Sequence, residues 1–184
     1  MSRKYKFHDQ ANLYFISFAT VNWIDLFTRP LYKDIFAESL KFCIKIKGLE
    51  VYAWCIMTNH VHLIIGSDGQ KLEDLVRDLK RHTSKEVLKA IGNNIQESRR
   101  EWMFERAGRE NSNNKKYQFW QQHNQPIELT DNKFLDQKLD YIHNNPVATG
   151  FVTEPEHYPY SSAVDYAGGK GLVEIELLAI NSGT

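Results

Sequence analysis

The sequence predicts one α+β domain, on three observations. Extended runs rich in β-branched and aromatic residues alternate with helix-length segments whose apolar residues recur every three or four positions. The chain has 184 residues, the length of about one compact domain. It is 42% hydrophobic, 12% aromatic and 25% charged, enough apolar side chain for a core of ordinary size. A domain this long buries roughly 70% of its unfolded surface and folds without a disulfide or metal staple. A disordered tail, a collagen-like fibre and a disulfide-knotted miniprotein are thereby excluded. The 23 basic and 23 acidic residues cancel, which argues against a histone-like packaging role.

Leu13 to Val21 (LYFISFATV) reads as a core strand. Leu31 to Lys47 reads as a helix, with Leu31, Ile35, Leu40, Cys43 or Ile44, and Lys47 at helical spacing, Pro30 before it and Gly48 as its C-cap. Val51 to Met57 and Val61 to Ile65 flank the polar pair Thr58-Asn59 and read as a β-hairpin. Beyond Gly66-Ser67-Asp68-Gly69, residues Leu72, Leu75, Val76, Leu79, Val87, Leu88 and Ile91 form a helical stripe over Lys71 to Ile91, ending at Gly92. Residues 108–116 (GRENSNNKK) hold no apolar anchor and read as an exposed loop. Tyr117 to Gln121 predicts a short strand. Asp131 to Asn145 predicts a helix, with Thr130 or Asp131 as N-cap and Pro146 just past its end. Residues 1–184 then make a single domain, its core over about 12–167 and its segment 168–184 peripheral.

The two cysteines, Cys43 and Cys55, lie in apolar surroundings and form no CxxC pair, so a thiolate zinc site is excluded and two buried free thiols are expected. The basic start Met1 to Lys6 has no apolar run behind it, unlike a signal peptide. No stretch approaches 18 consecutive apolar residues, so no membrane span is expected and a cytoplasmic location is.

The zero net charge is unevenly spread. Residues 71–116 hold 12 Lys/Arg against 8 Asp/Glu, and residues 117–184 hold 3 against 9. A solvated helix face accounts for this as well as the sharper alternative, in which Arg77, Lys80, Arg81, Lys85 and Lys89 meet phosphates, with His82 beside them.

Two constellations could carry chemistry. His60-Val61-His62 lies on the second strand of the hairpin, so alternation puts both imidazoles on one face, about 6 to 7 Å apart, and Val61 on the other. Such a pair can converge on one metal ion or be two strand histidines hydrogen-bonded for structural reasons. Tyr141 and Asn145 stand four apart on one helix and share a face. A tyrosine there is either a core-edge packing residue or a nucleophile toward phosphorus, and Asn145 either caps the helix end or offers an amide oxygen to a divalent cation.

The run Met57-Thr58-Asn59-His60-Val61-His62-Leu63-Ile64-Ile65 resembles the HUH motif, two histidines around one hydrophobic residue, of single-tyrosine transposases. Leu139-Asp140-Tyr141-Ile142-His143-Asn144-Asn145-Pro146-Val147 resembles that family's nucleophile helix. Leu79-Lys80-Arg81-His82-Thr83-Ser84 and Phe119-Trp120-Gln121 match its connecting segments, and Tyr158-Pro159-Tyr160-Ser161-Ser162-Ala163 its C-terminal tail. The resemblance runs in order from about Tyr14 to Ala167 and is nearest the REP-associated tyrosine transposases. It implies a ferredoxin-like antiparallel sheet with the HUH strand central and helices packed on it. It further implies His60, His62 and Asn145 as ligands of Mg²⁺ or Mn²⁺, and Tyr141 as the nucleophile that nicks and rejoins single-stranded DNA at hairpins. Imidazole donors suit Mn²⁺ better than the oxygen-preferring Mg²⁺. A 5′-phosphotyrosine would conserve the bond energy, which agrees with the absence of a GxxxxGK[ST] phosphate loop. Single-stranded or hairpin DNA is the implied partner, and both homodimers and monomers occur among such proteins. The basic residues Arg77 to Lys89 would hold the strand, with Trp102, Tyr117, Phe119 and Trp120 as stacking platforms or as core. His143 and His157 read as structural, and His123 as a candidate outsider at the site.

Two other functions fit parts of the pattern. A hairpin-binding regulator of the same fold would bind without turnover. A barrel hydrolase also uses HxH on a strand, but its barrel needs about 250 residues, more than this chain has.

Overall fold

The computed structural model describes residues 7–111, 116–122 and 126–178. The β-branched run near the start forms β1 (Tyr14–Ala19), followed by helix α1 (Pro30–Lys47), which ends on Gly48 at φ 71°. That left-handed C-cap is the conformation glycine adopts without a Cβ clash. β2 (Leu49–Ile56) and β3 (His60–Ser67) form the hairpin, and α2 (Leu72–Gly92) follows. Then come α3 (Ser98–Arg109), the two-residue strand β4 (Ile127–Glu128), α4 (Asn132–Ala148) and the short α5 (Ala163–Tyr166).

The sheet order is β2-β3-β1-β4 and every pairing is antiparallel. This is the ferredoxin-like arrangement, with β3 central. Alternation sorts the two faces. Val61, Leu63 and Ile65 point into the large core shared with α1 and α2, whereas Ile64 points into a smaller core with Leu139 and Ile142 of α4. His60 and His62 share the parity of Ile64 and so face α4. A bulge at Tyr52 shifts the β2 register between Val51 and Ala53, so that Val51 faces the large core and Ala53 the small one.

Several expectations are corrected. The buried face of α1 is Tyr32, Phe36, Ala37, Leu40 and Cys43, while Leu31 is half exposed. Residues 117–121 form no strand beyond an isolated bridge between Thr20 and Trp120, because consecutive Phe119 and Trp120 both pack into the large core, whereas neighbours on a strand point to opposite faces. The fourth strand is β4 instead. Residues 108 and 109 are helical, within an α3 the charge-rich sequence conceals behind pairs such as Arg106–Glu110 and Arg109–Glu105. Gly108 is buried where a Cβ would collide with the backbone of Lys116 and Tyr117. Residues 112–115 of the expected loop lie outside the described residues. The helix bearing Tyr141 runs through Pro146 to Ala148, where Thr149 Oγ1 and the backbone N–H groups of Thr149, Gly150 and Phe151 serve the last carbonyls. Asp131 is its N-cap, accepting from the Phe134 N–H at 2.8 Å.

The described part of the segment beyond residue 167 is also closer to the body than expected. Val173, from the supposedly peripheral 168–184, is fully buried in the large core. The chain from Tyr160 to Glu176 runs along β2, with Ile56 N–H donating to Tyr160 O, Ser162 N–H to Trp54 O and Glu176 N–H to Val51 O. Cys43 and Cys55 are buried free thiols, and burial pushes the Cys43 thiol up to about 11. Among the described residues no helix is long and apolar enough to cross a membrane.

Trp54 is fully buried between these layers. Trp54→Ala should cost about 3–5 kcal/mol of stability, read as a lower urea midpoint with unchanged slope.

Candidate active site

β3 and α4 meet across the smaller core, and the polar residues of both elements gather at one end of it. Ala19 pairs with His60 and Ser17 with His62, so both histidines sit beside the C-terminal end of β1. Their ring centroids are 4.7 Å apart. On α4 the period of 3.6 aligns Lys138, Tyr141 and Asn145 on one flank of the apolar stripe. Asn145 Nδ2 lies 3.2 Å from His62 Nε2, and the Tyr141 ring centroid lies 5.1 Å from that of His62. The convergence occurs within a single chain. His62 is 4% exposed whereas Tyr141 is 49% exposed, so the phenol stands between the buried imidazole and solvent.

Each imidazole is oriented by its surroundings. His60 Nδ1 lies 2.8 Å from Asn59 Oδ1, which leaves Nε2 as its outward nitrogen. His62 stacks on Phe15 at 5.6 Å. Burial lowers the His60 pKa, and burial, followed by the charges of His60 and Lys138, brings His62 down to about 3. Both rings are therefore neutral at physiological pH, the state in which imidazole can donate a lone pair to a metal. Among the described residues no group of three His, Cys, Asp or Glu has metal-site spacing. The Asn145 amide stands beside His62 as a donor of another type; a half-turn about its last bond exchanges nitrogen for oxygen. Two neutral imidazoles and an amide are a donor set that suits Mn²⁺ and tolerates Mg²⁺.

The basic set on α2 is placed elsewhere. Leu72, Leu75, Val76 and Leu79 pack into the large core, so α2 covers the sheet face opposite the histidines. Arg77 pairs with Asp74 and Asp78, and Arg81 with Asp78. Lys80 folds over Phe18 at 5.1 Å and Trp120 at 5.9 Å, and burial lowers its pKa to about 8. His82 stacks on Phe42, while Lys85 and Lys89 are exposed. Of the aromatic candidates, Phe119 and Trp120 are core, Tyr117 is half-buried, and Trp102 is exposed beneath Arg106. His143 is buried 2.9 Å from Ser162 Oγ, a structural role, and His157 is exposed. His123 lies outside the described residues.

Two residues at the site escaped the sequence. Lys138 Nζ sits 4.8 Å from the Phe15 ring and 5.8 Å from the Tyr141 ring; its place three before Tyr141 was the available signal. Trp23, 59% exposed, lies 6.0 Å from His60, and nothing in its spacing marks it.

A ferredoxin-like sheet whose central strand presents two histidines to a helical tyrosine defines the class of single-tyrosine transposases, which are DNA-processing enzymes. The sequence matches the family described as Transposase IS200 like over residues 13–145, and the chain belongs to that family. A search of curated proteins finds no match. A solved structure described as a REP-associated tyrosine transposase bound to a REP hairpin aligns with 100% of this chain and 98% of its own, at 18% identity and a TM-score of 0.63. At that identity the likeness is one of fold.

Proposed function

We propose that the protein nicks and rejoins single-stranded DNA at hairpins through a phosphotyrosine at Tyr141. The observation that carries this reading is the meeting of a solvent-facing phenol with two neutral histidines and an amide inside one chain. The Tyr141 oxygen attacks the scissile phosphorus in line, and the P–O3′ bond breaks. The released 3′ oxygen takes up a proton, leaving a 5′-phosphotyrosine. An incoming 3′-OH reverses the attack, restores the phenol and joins the strands. His60, His62 and Asn145 would hold Mn²⁺ or Mg²⁺, which when bound polarises the phosphate and offsets charge on its non-bridging oxygens. Lys138 adds a fixed positive charge beside the phenol, where a phosphate oxygen would approach. Phe15 buttresses both reacting rings, at 5.6 Å from His62 and 6.0 Å from Tyr141. Hairpin DNA is the substrate class because the solved relative of the same fold is described with a REP hairpin. We propose a cytoplasmic location, where the protein would meet such a substrate.

The test is incubation with labelled hairpin oligonucleotides and Mn²⁺, followed by denaturing electrophoresis. A protein-linked product whose DNA-bearing peptide contains Tyr141, and which EDTA prevents, is the expected result. Binding without any such product would make the protein a hairpin binder.

A further inference from the structure

We propose that Trp23 is a stacking platform for the nucleobase flanking the scissile phosphate, an inference that rests on the single-stranded DNA reading above. Its neighbours along the chain, Val21, Ile24, Leu26 and Phe27, are all buried, yet the largest side chain of the segment is left 59% exposed. An exposed indole forgoes a large burial gain, so its position needs another reason. Its backbone is unusual as well. Asn22 and Trp23 both have φ 53°, a left-handed conformation that is unfavourable for a bulky residue and persists only where the surroundings impose it.

The surroundings do impose it. Trp23 N–H donates to Thr20 O at 3.1 Å, and Thr20 Oγ1 donates to Ile24 O at 2.8 Å. Asn59 Nδ2 donates to Asp25 Oδ1 at 2.9 Å, while its Oδ1 faces His60 Nδ1 at 2.8 Å. One asparagine therefore fixes both the Trp23 loop and an imidazole of the site. From the other side, Arg100 Nη2 donates to Asp25 O and Thr28 Oγ1, and its Nη1 is held by the buried Glu97 at 2.6 Å. The result is a firmly held loop that carries an exposed indole 6.0 Å from His60, whose own ring is 4.7 Å from His62. A strand whose phosphate reaches His60 brings its adjacent base within reach of the indole. Stacking on an aromatic side chain accepts any base, so Trp23 would fix the position of the cleaved step and leave its sequence to other contacts.

The full chain is tested with a fluorescein-labelled hairpin oligonucleotide carrying a single-stranded oligodeoxythymidine flank, by fluorescence anisotropy, for wild type, Trp23→Gly and Trp23→Phe. Glycine accepts φ 53° without strain, so Trp23→Gly should keep or raise the thermal midpoint while weakening binding roughly 10-fold. Trp23→Phe should restore most of the affinity. Ultraviolet irradiation of a 5-bromodeoxyuridine-substituted strand should link it to the peptide containing Trp23. Wild-type affinity in Trp23→Gly, or a fall in its midpoint of more than about 5 °C, overturns the platform and leaves the DNA reading intact. Absence of binding by the wild type overturns both.

Discussion

Tyr141→Phe should abolish the protein-linked DNA product and leave hairpin binding close to that of wild type. The change removes one oxygen from a half-exposed side chain, and the ring that packs against Phe15 and His62 remains. A phenyl ring cannot form the P–O bond, so the product should be absent rather than slow. His62→Ala supplies the contrast, since the proposed nucleophile stays and the buried donor of the proposed cation goes. Its expected loss is about a thousandfold in single-turnover cleavage, from several kcal/mol of forfeited charge stabilisation. If Tyr141→Phe still yields covalent product, the nucleophile is another residue; if it retains full biological activity, the protein works as a binder.

Metal-free protein should lose roughly 6 kcal/mol of stability between pH 7 and pH 4, enough to unfold many domains of this size. Burial brings the His143 pKa to about 4, and burial with the neighbouring charges of His60 and Lys138 brings that of His62 to about 3. In the unfolded chain each titrates near 6.5. Below 6.5 the unfolded chain therefore takes up protons that the folded one refuses, and the equilibrium shifts toward unfolding. The contribution is fully present above pH 6.5 and is lost as pH falls toward 4 for His143 and 3 for His62. Urea melts of EDTA-treated protein across this window check it. His143→Asn should cut the slope by about half, whatever it does to stability at pH 7. An unchanged slope in that variant would refute the assignment.

Much of this site was legible because strand and helix periods are strict. Two residues apart on a strand put His60 and His62 on one face, and four apart on a helix align Tyr141 with Asn145, whatever the tertiary fold. What periodicity cannot tell is which layer a helix joins. The basic residues of α2 offer a face to DNA, and only the packing shows that the sheet stands between them and the histidines. The face of α1 is ambiguous for a related reason: apolar residues at 31, 32, 35, 36, 40, 43 and 44 support two stripes, and only packing chooses Tyr32 and Phe36. Pro146 reads as a stop, but in the last turn it forgoes only the one N–H that would serve Ile142 O, and the helix continues two residues further to Ala148. Trp23 was invisible because its significance lies in its backbone angle and its exposure, and neither is periodic.

β2 is the outermost strand on its side of the sheet, and the segment from Tyr160 to Glu176 occupies the hydrogen-bonding groups it would otherwise offer to any passing chain. Proteolytic loss of that segment would bare a long, apolar strand. A clipped protein should then self-associate by strand exchange, so the tail acts as a guard against aggregation as well as a contributor to the core.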